Sequence, residues 1–140
     1  MKTCLKIVYA LMVFYALPAL ASTYALIMTI GAYHGGAKPL EGSRQDIQSA
    51  RAIARKMGVS DSNMMVFRDE QLTIEGIEKA FDELFSRISD NDQVFIYYSG
   101  HGGSARIEEE GGRCAAAIVA VDSKWFMDSD IQKKDRKSTR

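Results

Sequence analysis

A chain of 140 residues with 46% hydrophobic and 26% charged residues has the make-up of one folded globular domain. Eighteen basic residues balance 18 acidic ones, so the formal charge is zero. Net charge alone implies no polyanion partner, and no nucleic acid is expected. Neither a Gly-x-x-x-x-Gly-Lys phosphate loop nor a zinc-ligand cluster is present in the sequence.

Residues 1–21 read as a secretory signal peptide. Lys2 and Lys6 give a basic start, Ile7 to Leu17 an apolar run, and Ala19-Leu20-Ala21 a small-residue cleavage site before Ser22. The rival reading is an uncleaved anchor, for which the apolar run is short. Cleavage implies a secreted or periplasmic protein with no membrane contact afterwards. Removing Lys2 and Lys6 leaves 16 basic residues against 18 acidic ones. Cys4 leaves with the leader, so Cys114 is unpaired in the mature chain.

Tyr24 to Gly31 is an apolar run suited to a strand covered on both faces. Ala32 to Ser43 carries Gly35, Gly36, Pro39 and Gly42 and reads as a loop. Arg44 to Met57 is predicted helical, with Ile47, Ala50, Ile53, Ala54 and Met57 as its apolar face and Gly58 as its stop. Asn63 to Phe67 is a short strand. Thr73 is a good N-cap for a second helix that buries Ile77, Ala80, Phe81, Leu84, Phe85 and Ile88. Gln93 to Tyr98 is strongly strand-prone. Ser99 to Gly112 reads as a polar loop, and Ala115 to Val121 as another buried strand. Asp128 to Lys134 begins a third helix, and the tail with Lys133, Lys134, Arg136, Lys137 and Arg140 reads as a frayed end. Strands alternating with helices predict an α/β fold: a three-layer sandwich around a mostly parallel sheet.

The chemistry concentrates at Ser99-Gly100-His101-Gly102-Gly103. A buried strand ends there in a glycine-wrapped histidine, at the sheet end where parallel α/β proteins bind ligands. Glycines let the chain turn sharply and let a substrate approach the backbone. The N–H of Gly102 is placed to help stabilise an oxyanion. Read alone, His101 is either a catalytic imidazole or a loop residue capping the sheet.

Tyr97-Tyr98-Ser99-Gly100-His101-Gly102 resembles the histidine motif of caspase-like cysteine peptidases, in its metacaspase version. Leu40-Glu41-Gly42-Ser43-Arg44-Gln45-Asp46 is similar to the metacaspase segment Leu-x-Gly-Cys-x-x-Asp, with Ser43 in place of the cysteine. Ala25 to Gly31 resembles the family's first strand, and Ile118-Val119-Ala120-Val121-Asp122 a later one. The likeness spans Tyr24 to Ile131. It implies a peptidase C14 type domain over residues 22–140, with a caspase-like fold and a cysteine–histidine dyad that cleaves peptide or protein substrates after arginine or lysine. His101 takes the histidine role, and Asp46 matches an aspartate that lines the pocket for the basic residue. Read without the likeness, Asp46 is a first-turn helix acid. Calcium, which some metacaspases bind, is implied at Asp122 and Asp128.

The likeness has one departure. Caspase-type chains place the cysteine about 50 residues after the histidine, which from His101 means about position 151. The given sequence stops at Arg140. The expectation is a domain truncated before its nucleophile, C-terminally incomplete and inactive alone. The alternative is a pseudoenzyme that serves as a binding or scaffold module. Cys114 follows His101 too closely for the family's pattern and reads as a small residue entering a strand. An incomplete sheet also predicts self-association through an open edge. His34, after the first strand, reads as a loop residue.

Overall fold

The computed structural model describes residues 21–108 and 111–138. The signal peptide expected at residues 1–21 lies, but for Ala21, outside these residues. The apolar run after it forms β1, Thr23–Thr29, at the centre of a three-stranded sheet. β2 (Met64–Arg68) and β3 (Gln93–Ser99) flank it, both parallel to it. Burial on both sides explains the absence of alternation in β1: Ala25, Leu26, Ile27 and Met28 are all essentially inaccessible.

Helix α1 (Ser43–Lys56) connects β1 to β2, and helix α2 (Ile74–Arg87) connects β2 to β3. They cover opposite faces. Leu26, Met28 and Ile30 point into a core with Ile77, Ala80, Phe81 and Leu84 of α2, whereas Ala25 meets Ala54 of α1 and Val59. α1 buries the stripe Ile47, Ala50, Ala54. Ile53 lies off that stripe and Met57 lies past the last turn, so both are 45% exposed instead of packed as the periodicity suggested. At α2 the Thr73 hydroxyl accepts from Gly76 N–H at 3.1 Å, which satisfies one of the free amides of the first turn.

The second half departs from the sequence reading. The stretch expected to be a polar loop holds a strand, β4 (Gly102–Ile107). It pairs antiparallel with β5 (Arg113–Val119), which pairs antiparallel with β6 (Trp125–Met127). β5 therefore belongs to a separate small sheet and not to the parallel one. The short return at Gly111 and Gly112, with φ of 73° and 77°, suits a hairpin, whereas a parallel partner needs a long crossover. Gly103 reads as a loop residue, but a Cβ there would lie 2.8 Å from the Trp125 ring. Its bareness is what lets β6 lie across the hairpin. Helix α3 (Asp128–Ser138) runs further than its polar sequence suggested, and Ile131 packs it onto the core shared with α2.

The α/β class and the parallel sheet of the sequence reading hold, with helices on both faces of the sheet. Phe81, 1% exposed, is the centre of the larger core, its ring 6.1 Å from that of Phe85 and 6.0 Å from that of Phe126. Phe81→Ala is expected to destabilise the domain by about 3–5 kcal/mol, read as a shift in a chemical denaturation midpoint.

Candidate active site

β3 ends at Ser99 and the chain turns through Gly100 into His101. Gly100 is required by what surrounds it. A Cβ there would collide with the Tyr98 hydroxyl and lie 2.6 Å from the Tyr33 hydroxyl. Those two hydroxyls clamp the His101 peptide. His101 N–H donates to Tyr33 Oη at 2.7 Å, and the one proton of Tyr98 Oη is shared between the carbonyls of His101 and Val119, at 2.9 and 3.0 Å. The two phenols lie 3.3 Å apart. Burial, with the Tyr33 hydroxyl next in effect, pushes the Tyr98 phenol well above the ordinary tyrosine range, so it stays a donor.

The imidazole of His101 packs against the Tyr33 ring, with centroids 4.8 Å apart. Its Nε2 lies 2.8 Å from the carbonyl of Lys38. A carbonyl only accepts, so Nε2 carries the proton and Nδ1 keeps its lone pair. The loop after β1 thus fixes both the orientation and the tautomer of this ring. Val119 N–H donates to the His101 carbonyl at 2.9 Å, which makes positions 101 and 119 a hydrogen-bonded pair. Gly102, opposite Ile118, is then a non-hydrogen-bonded position, and its N–H points away from β5. That amide is free of the ladder and follows His101 in the chain.

Asp46 reaches the same end of the sheet from the first turn of α1. Ser99 Oγ donates to Asp46 Oδ2 at 2.5 Å. Ser99 precedes His101 by one glycine, so this bond ties the carboxylate to the strand that delivers the histidine. The sequence reading placed Ser99 in the histidine motif but gave it no role of its own. The seat for α1 is set by close packing: a Cβ on Gly31 would clash with Ser43 Oγ and lie 2.9 Å from the Leu40 carbonyl. Asp69, not singled out in the sequence reading, anchors the start of the histidine-holding loop. Its Oδ1 accepts from Gly31 and Ala32 N–H at 2.8 and 3.1 Å, at a φ of 44° that few side chains adopt.

Other residues lie elsewhere. His34 faces Glu70 at 2.7 Å, away from His101. Cys114 is exposed and pairs in register with Arg106, five positions before Val119 along β5. At the rise of a strand this puts it roughly 16 Å from the position that His101 adjoins. Asp122 and Asp128 do not converge. Asp122 Oδ2 holds Lys124 Nζ at 2.7 Å, and Arg113 holds Asp128 at 3.0 Å. These cations keep both carboxyls below the ordinary range. Asp122 Oδ1 is buried without a partner, but no group of three His, Cys, Asp or Glu side chains gathers around it or anywhere else among the described residues. Calcium takes six to eight oxygens. These residues do not fit that ion, and no step is derived through it.

A parallel-sheet α/β domain with a histidine and a carboxylate at the carboxyl end of its strands has the layout of a caspase-type peptidase domain. The sequence model of the caspase domain matches residues 22–136, and the chain belongs to that family. It is also 31% identical over 88 residues to Metacaspase-1 of Mycosarcoma maydis, a match that takes in 59% of this chain and 22% of that protein. The chain therefore spans about a fifth of the length of the curated relative that it matches.

Gly100→Ala is expected to break the tyrosine clamp and destabilise the domain by about 1–3 kcal/mol. Adding Tyr33→Phe, which removes one of the colliding hydroxyls, should recover part of the loss. Denaturation midpoints of the two variants check this, and a neutral Gly100→Ala would show that the clamp does not constrain the turn.

Proposed function

We propose that His101 and Asp46 form half of a cysteine endopeptidase site that selects arginine or lysine before the cut. The observation that carries this reading is the Ser99–Asp46 hydrogen bond. It sets a carboxylate beside the histidine strand, where a bound cationic side chain would reach both. One carboxylate in a partly closed site discriminates strongly for a cation.

In this reading a cysteine thiol gives its proton to Nδ1 of His101, and the thiolate attacks the carbonyl carbon of the scissile bond. Negative charge gathers on the former carbonyl oxygen and is met by the N–H of Gly102. The imidazolium, steadied by the Nε2–H bond to Lys38, returns the proton to the leaving amine as the C–N bond breaks. Water then hydrolyses the thioester. The thiol is not Cys114, which the hairpin register holds away from His101. It belongs to another cysteine, and residues 1–21 act as the leader that exports the chain.

The chain assayed alone is expected to bind an arginine-containing peptide without cleaving it. Asp46→Asn should weaken that binding about tenfold or more, the loss of one charge-assisted contact. Cleavage abolished by His101→Ala and by Cys114→Ala would overturn the assignment of the nucleophile. Binding unaffected by Asp46→Asn would remove the basic-residue pocket.

The same proposal includes self-association. β3 is an edge strand, and Val94 and Ile96 on it are 37% and 47% exposed. With Leu84, Phe85, Ile88 and Ile131 they line an apolar cleft. An uncovered edge with apolar side chains invites pairing with a second copy. Sedimentation should show concentration-dependent dimers that Ile96→Lys weakens; a monomer at all concentrations would rule the edge out.

A further inference from the structure

The zero net charge conceals a basic groove on the face of α1 remote from Ser99. Arg44, Gln48 and Arg51 fall on one stripe of α1, and Arg68 and Gln71 face them from the end of β2 and the turn after it. Together they border a groove of about 420 Å³. The ion pairs of arginines among the described residues involve Arg55, Arg87, Arg106 and Arg113, and none of these three. The acids at one end of the groove, Asp69 and Glu70, are committed elsewhere. Asp69 Oδ1 holds the Gly31 and Ala32 amides, and Glu70 holds His34. Arg51 Nε is buried with no hydrogen-bond partner. A buried guanidinium donor left unpaired is costly, and three guanidinium groups around one groove repel each other.

We propose that this groove binds a small ligand carrying two or more phosphate groups. The guanidinium fork matches phosphate oxygens two at a time, and the three positive charges exceed the charge of about −2 that one phosphate carries. The glutamine amides of Gln48 and Gln71 add donors at the rim. The apolar lining is confined to Ile47 and Val66, with no aromatic side chain, so a nucleoside base gains nothing there. The recognised chemistry is the phosphate chain itself. The site lies on the far side of α1 from the Asp46 pocket and does not depend on the peptidase reading.

The test is calorimetric titration of the full chain with sodium tripolyphosphate at low ionic strength, with pyrophosphate, ADP and a glutamate-rich peptide as comparison ligands. Saturable binding at one site is expected, with ADP no tighter than pyrophosphate. Arg51→Lys, which keeps the charge but removes the Nε donor, should weaken binding about tenfold, and Arg44→Gln, on the exposed first turn, by a similar factor. Lys56→Gln, a cation on α1 outside the groove, should leave it unchanged. Absence of saturable binding, equal loss in Lys56→Gln, or tighter binding of ADP or of the acidic peptide would each overturn the proposal. Melting curves without ligand show whether each variant is folded.

Discussion

A single phenol hydroxyl joins the two sheets of this domain. Tyr98 belongs to the parallel sheet, yet its Oη shares one proton between the carbonyl of Val119 in the antiparallel one and that of His101 between them. In a regular ladder the Val119 carbonyl would accept from the His101 amide. Here that amide turns to Tyr33 instead, and the tyrosine side chain takes its place. The substitution satisfies the His101 amide and the carbonyls of His101 and Val119. It lets the chain leave one sheet and enter another of opposite sense within three residues. Gly100 is the bare residue over which both phenols close.

The histidine's chemistry follows from that joint. Because Tyr33 holds both its amide and its ring, and Lys38 takes its Nε2 proton, His101 has one orientation and one free lone pair. The loop that does this is pinned at its start by Asp69 and near its end by the packing of Gly31 against Ser43 and Leu40. The same packing sets the first turn of α1, and with it Asp46. Thus the residues that orient the histidine and those that bring up the carboxylate come from one connection after β1. A disturbance there would be felt at both.

Charge in this molecule is arranged locally, and totals mislead about it. The family resemblance implied calcium at Asp122 and Asp128, but Lys124 and Arg113 pair with them. Arg44, Arg51 and Arg68 are far apart in sequence or mixed among acids, and nothing in their order marks them. The helix period and the strand end bring them to one groove, whose neighbouring acids Asp69 and Glu70 are bonded to the Gly31 and Ala32 amides and to His34.

The sequence by itself determined the parallel β-α-β-α-β core, because burial periodicity and capping act within one element at a time. The run Ala25 to Ile30, the Ile47–Ala50–Ala54 stripe and the Thr73 cap each carry their own signal. The histidine motif was legible for a similar reason: its glycines and strand are contiguous. Tertiary structure decided the rest. Gly102 to Ile107 has weak strand propensity and becomes β4 because β5 pairs with it. Ser99 meets Asp46 across 53 positions, and His101 meets Tyr33 across 68. Bonds of that separation leave no periodicity behind, since they depend on how two connections pack and not on the order of residues in either.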